Sequence, residues 1–234
     1  VSIAISFLLS LIYGFIVIKL KADQIITGLG LNIVVSGITA WFLDDIFMSP
    51  GGYSQPGTPI LPTMSGLHVW DKLPFLANIF ESQNIVFYFS LIITLIFYIF
   101  LHKSKFGLRL MATGENPIAT RTVGVNPIFW QFAAIGLTGI LCGLGGATLS
   151  MGHLRMFTKD MTDGRGYIAF VAASFARGNV PGTFLMSFVF ALFSSISIRL
   201  EGFGIPSRYL QMIPYLVTIL ALIIDQRRLN NNAS

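Results

Sequence analysis

The side chains best suited to acid–base, nucleophilic or metal chemistry are scattered through these 234 residues. His68, His102 and His153 stand far apart, and none has the spacing of a metal ligand set. Cys142 is the single cysteine and sits in an apolar run, so no disulfide framework or cysteine metal cluster can form. No G-x-x-x-x-G-K-[ST] loop is present to cradle a phosphate. No carboxylate pair lies inside an apolar span, where an ion-coupled carrier often places one. What chemistry remains is recognition and mechanics. Asn32, Ser36, Thr39, Thr138 and Ser174 are polar positions within apolar runs and could line a path for a polar solute, with Phe170 able to stack on a flat ring. Taken singly, each is better explained by packing than by a ligand contact, Asn32 by an interhelical hydrogen bond.

The elements that would position those residues are set by lipid. The chain is 54% hydrophobic and 11% charged, with mean hydropathy +0.74 and 21 Phe. A soluble domain carries about 25% charged residues. Several apolar runs reach the roughly 20 residues that a spanning helix needs. The expected fold is therefore all-α, a polytopic transmembrane helical bundle of about seven membrane segments, one of them short and broken. The spans read as 1–18, 24–43, 84–101, 128–151, 167–176, 183–198 and 209–224. The second is interrupted by Gly28, Gly30, Asn32, Ser36, Gly37 and Thr39, a pattern that suits unwound helix beside a pathway. In the fourth, Gly139, Gly143 and Ala147 recur every four residues, the signature of close helix packing in lipid. The run 167–176 is too short for an ordinary span and is bracketed by Arg165 and Arg177, with Gly178, Pro181 and Gly182 separating it from the next.

Two polar stretches stand out. The first is the loop 44–83, rich in Pro and Gly, with Trp70, Phe75 and Phe80 in a stub expected at the membrane interface. The second is the basic loop 103–126. In it Asn116 suits an N-cap, Pro117 the first helical position and Gly124 the left-handed position that stops a helix, leaving about two turns from Pro117 to Val123. A helix this short needs its flanks or a partner to hold it. It reads as a docking knuckle for another protein, and equally as an ordinary interhelical loop that is well capped.

Charge sets the orientation. Lys19, Lys21, Lys103, Lys105, Arg109, Arg121, Arg177, Arg227 and Arg228, nine of the 15 basic residues, fall on one side if the short segment crosses, and that side is expected to be cytoplasmic. If that segment is re-entrant, the tail moves to the other face. The net charge of +5 then reflects cytoplasmic loops rather than nucleic-acid binding. The chain opens on Val1 in an apolar run without a basic leader, so the expectation is a piece lacking upstream spans rather than a signal peptide.

The segment G-E-N-P-x-A-x-R-x-x-G-V at 114–125 resembles a cytoplasmic loop motif of the ABC-importer permeases that serve simple sugars, branched-chain amino acids and nucleosides. FGLR at 106–109, GRGYIAFVAASFARGNVPG at 164–182 and QMIPYLVTILAL at 211–222 are similar to the same family, and ILPTMSGLHVWDKLPFLANIFESQN at 60–84 is closest to its nucleoside branch. Thr120 departs from the pattern, where the family usually has a second alanine. The resemblance implies a single permease domain over 1–234, without a catalytic site, in the bacterial inner membrane. It implies as partners a cytoplasmic ABC ATPase that binds ATP and Mg, a second permease subunit (identical or not) and an extracytoplasmic substrate-binding lipoprotein. It also assigns coupling to the ATPase to Gly114, Glu115, Asn116, Pro117, Ala119, Arg121 and Gly124. The cargo implied is a nucleoside or related polar solute, with a simple sugar such as ribose as the alternative. A self-powered secondary carrier and a membrane enzyme are the competing classes, and neither has the intramembrane charges or convergent side chains it needs.

Overall fold

A computed structural model describes residues 1–49, 51–53, 85–154, 156–176 and 178–201. The chain divides into two units, 1–162 and 163–234. Among the described residues five helices are long and apolar enough to cross a membrane. The expected interface stub with Trp70, Phe75 and Phe80, most of the loop 44–83, Arg177, the last span 209–224 and the tail lie outside the described residues.

In the first unit α1 (Ser2–Gly14) continues as a π turn, Phe15–Lys19. Helix α2 (Gln24–Trp41) starts on Asp23, whose carboxylate accepts from the amides of Ile25 (2.8 Å) and Ile26 (3.0 Å), a negative cap at the positive end of the helix. It too ends in a π turn, Phe42–Ile46. This corrects two expectations. The glycines do not unwind α2, because in lipid an opened backbone would find no other hydrogen-bond partner. Asp44 and Asp45 belong to the end of the helix rather than to the following loop.

After β1 (Gly52–Tyr53) come α3 (Ile85–Lys103), α4 (Lys105–Glu115), α5 (Pro117–Thr122) and α6 (Pro127–Thr148), the last extended by a π turn, Leu149–Leu154. Helix α4 was not foreseen. Strand β2 (Phe157–Thr158) pairs antiparallel with β1, Gly52 opposite Thr158 and Tyr53 opposite Phe157.

The core of this unit is the contact between α1 and α6. Gly136, Gly139 and Gly143 are buried, and a Cβ on them would meet Phe7, Ser10 and Ile3 in turn. Gly14 faces Phe132 and Ile135. The two helices are therefore antiparallel, and the end of α1 lies beside the start of α6. Helices α2 and α3 are apolar, yet among the described residues neither has a buried residue, as with helices that lipid or another membrane protein covers.

Charge divides the unit along its length. Among the described residues, Lys19, Lys21, Lys103, Lys105, Arg109 and Arg121 lie toward the start of α6 against Asp23 and Glu115, while Asp44, Asp45 and Asp160 lie toward its end against Lys159. A basic end is the one that the positive-inside rule favours for the cytoplasmic face.

The second unit pairs α7 (Arg165–Phe175) with α8 (Val180–Glu201), with Ala172 and Phe190 buried. At 11 residues α7 is about 16 Å long, half the thickness of the hydrocarbon core, so it cannot cross unaided. Helix α8 starts ahead of Pro181, which sits in its first turn where a missing N–H costs nothing. Pro181 and Gly182 are thus part of the span instead of a break before it.

Candidate functional site

The knuckle is built from two repeats of one device. Asn116 leaves the helical region at φ −150° and ψ 96°, and its Oδ1 accepts from the amides of Ile118 (3.1 Å) and Ala119 (3.0 Å), with Pro117 at the first helical position. Ten residues on, Asn126 accepts from Ile128 (3.1 Å) ahead of Pro127 and opens α6 in the same way. Between them Gly124 takes φ +81°, its N–H donates to the Arg121 carbonyl (3.0 Å), and the Val125 N–H donates to the Thr120 carbonyl (3.2 Å). Those two bonds define a Schellman stop. Both ends of α5 are therefore fixed where the sequence places them.

Helix α4 seats this knuckle. Ser104 turns the chain out of α3: its Oγ donates to the Phe100 carbonyl (2.6 Å) and accepts from the Gly107 amide (3.0 Å). Gly107 is buried so tightly that a Cβ would fall on the Phe100 carbonyl and the Leu101 Cα. Phe106 leans on Trp130 in the first turn of α6, ring centres 5.7 Å apart. Thr120, buried at 7% exposure, directs its hydroxyl to the carbonyls of Ala112 (3.0 Å) and Asn116 (2.8 Å).

The opposite face of α5 is uncovered. Ile118 is 78% and Val123 80% exposed, and Glu115, Ala119, Arg121 and Thr122 are exposed around them. At Gly114 a Cβ would meet nothing within 4 Å. Two large apolar side chains, with an acid and a base beside them, are thus exposed on a capped helix at the basic end of a membrane unit. Ile118 and Val123 escaped the sequence reading, because an apolar residue in a polar loop is usually one that turns inward.

Asn32, Ser36 and Thr39 share one face of α2, at spacings of four and three residues. Ser36 Oγ donates to Asp160 Oδ1 (3.1 Å), while Thr39 bonds back to the Val35 carbonyl. Asn32 is exposed and makes no side-chain hydrogen bond among the described residues, so the interhelical bond expected of it is not made there. Phe170 and Ser174 belong to the second unit, one turn apart on α7. Phe170 is 68% exposed, and Ser174 Oγ donates to its carbonyl (2.9 Å). No group of three or more His, Cys, Asp or Glu that could hold a metal occurs among the described residues.

Comparison with known proteins supplies the context. A family model described as branched-chain amino acid transport system / permease component matches residues 1–222. A nucleoside ABC transporter permease protein of Lactococcus lactis is 31% identical over 224 residues, covering 93% of this chain and 69% of that protein. A guanosine ABC transporter permease protein of Bacillus subtilis is 31% identical over 222 residues, 92% of this chain and 68% of its own. A putative glucose ABC transporter permease protein of Haloferax volcanii is 28% identical over 206 residues, covering 88% and 61%. No solved structure matches.

Proposed function

The chain belongs to the branched-chain amino acid transport system / permease component family, and we propose that within it this protein is the membrane-spanning subunit of an ABC importer for nucleosides. The relatives named for nucleoside and guanosine transport support that cargo. The family implies an ATPase and a substrate-binding protein as partners in general. A second permease subunit and a lipoprotein that delivers the solute complete the proposed assembly.

The observation that carries the mechanism is the uncovered apolar face of α5, Ile118 and Val123, on a helix capped at both ends. In the proposed reading this face sits in a groove of the ATPase, with Glu115 and Arg121 making charged contacts at its rim and Ala119 allowing close approach. Gly114 leaves room for the partner, while Asn116, Pro117 and Gly124 keep the helix rigid. ATP and Mg2+ are held by the partner. Closure of two ATPase subunits draws two such knuckles together and tilts the spans between inward- and outward-open states. Asn32, Ser36 and Thr39 on α2, with Phe170 and Ser174 on α7, are the proposed path residues.

A simple sugar is the second reading, supported by the likeness to the putative glucose permease. Uptake by the assembled importer separates the two. Nucleosides competing with a labelled nucleoside, and sugars failing to, is the expected result; uptake blocked by ribose or glucose alone would move the cargo to the sugar branch.

A further inference from the structure

Helix α5 has six residues, too few to hold its own shape or direction in water. Its caps fix its internal geometry, but they do not fix the angle at which it leaves α4. That angle is set at Asn116, whose backbone is extended between two helices. A hinge at this point would absorb any push delivered to the knuckle.

Thr120 closes the hinge. It is the inward residue of α5, nearly fully buried. Its bond to the Asn116 carbonyl is the local back-bond common to helical threonines. Its bond to the Ala112 carbonyl is different in kind: it reaches eight residues upstream into another helix. Ala112 lies in the last turn of α4, and its carbonyl already accepts from the Asn116 N–H (3.0 Å). One hydroxyl proton is therefore shared between two carbonyls, one on each side of the joint. Helix α4 is in turn pressed on the last turn of α3 at Gly107 and on α6 through Phe106 and Trp130.

We propose that Thr120 is a positioning residue for coupling: its hydroxyl fixes α5 to α4, so that displacement of the docking face passes to α3 and α6 instead of bending the chain at Asn116. This rests on the docking role assigned to α5 above. Thr120→Val keeps the side-chain shape and removes the hydroxyl, Thr120→Ser keeps the hydroxyl, and Thr120→Ala repeats the test if the valine does not insert. Each is assembled with the ATPase and substrate-binding protein in proteoliposomes. The readouts are copurification of the ATPase, ATP consumed per solute transported, and the spread of spin-label distances between Leu108→Cys on α4 and Thr122→Cys on α5 in a chain without Cys142.

The expected result is that Thr120→Val still binds the ATPase, broadens the α4–α5 distance and raises ATP consumed per solute by about fivefold, the equilibrium shift that loss of one hydrogen bond brings. Thr120→Ser is expected to restore both. Wild-type stoichiometry and distances in Thr120→Val, or no recovery in Thr120→Ser, would overturn the inference and leave docking intact. Failure of the unmodified chain to bind the ATPase would overturn docking itself, and the inference with it.

Discussion

Ser2 donates a hydrogen bond to the carbonyl oxygen of Gly143 at 2.8 Å, joining the first turn of α1 to α6 across 141 residues of sequence. The bond forms because Gly143 has no side chain to hold the helices apart. A Cβ there would stand 2.8 Å from the Ile3 Cα and 3.1 Å from the Ser6 Cβ. With no hydrophobic drive between helices in lipid, that closeness is what binds the pair.

Gly143→Leu is accordingly expected to destabilise the unit by about 1–3 kcal/mol through overpacking, read as a lower melting temperature in detergent. Gly145→Ala, where a Cβ meets nothing within 4 Å, serves as the control and is expected to leave melting unchanged. Equal losses at the two positions would mean that α1 and α6 do not pack this way.

Loss of the Asn116 cap frees the amides of Ile118 and Ala119. Asn116→Ala is expected to cost about 1 kcal/mol locally, while Asn116→Asp, which still accepts both bonds, costs much less. Hydrogen exchange at those two amides reads the local effect, and solute uptake by the assembled importer reads the functional one. Glu115→Arg probes the rim charge in the same assay and is expected to weaken ATPase stimulation.

Gly124 stops α5 in the left-handed region. Gly124→Ala places a Cβ in that conformation at a cost of about 1–2 kcal/mol, and Gly124→Asn, which tolerates it, is expected to lie between alanine and wild type. Faster exchange at the Val125 amide, which donates to Thr120 across the stop, is the measurement. Identical exchange in all three would contradict the Schellman geometry.

The strand pair supplies a test of sidedness. Tyr53 and Phe157 are cross-strand neighbours at the end of the unit opposite the knuckle. Cysteines at both positions, in a chain without Cys142, are expected to form a disulfide, and a cysteine at either position alone is expected to react with a membrane-impermeant maleimide added outside intact cells. Labelling only after the membrane is opened would invert the proposed orientation.

The features legible from sequence were those whose causes are local. Asn116, Pro117 and Gly124 announce a capped helix because each acts through its own backbone. The five long spans among the described residues announce themselves by apolar length alone. The unread features depend on distant residues. Two-residue strands have no periodicity to detect, so the pairing of Gly52–Tyr53 with Phe157–Thr158 was invisible. Helix α4 was hidden because Gly107 and Gly114 weaken helix propensity, and only the fit of Gly107 against α3 shows why a glycine belongs there. The glycines of α2 misled in the opposite direction, since lipid holds the helix that water would loosen. Thr120 could not be placed without knowing that Ala112 lies within reach of its hydroxyl.

The central claim is that the exposed face of α5 is gripped by an ATPase on the cytoplasmic side. A photo-crosslinking side chain introduced at Ile118, in the chain coexpressed with its ATPase and substrate-binding protein, tests it most directly. The account predicts an ATPase adduct in inside-out vesicles, with solute uptake falling as the adduct accumulates. No adduct from Ile118, together with uptake that persists when nucleotide is exhausted, would contradict it.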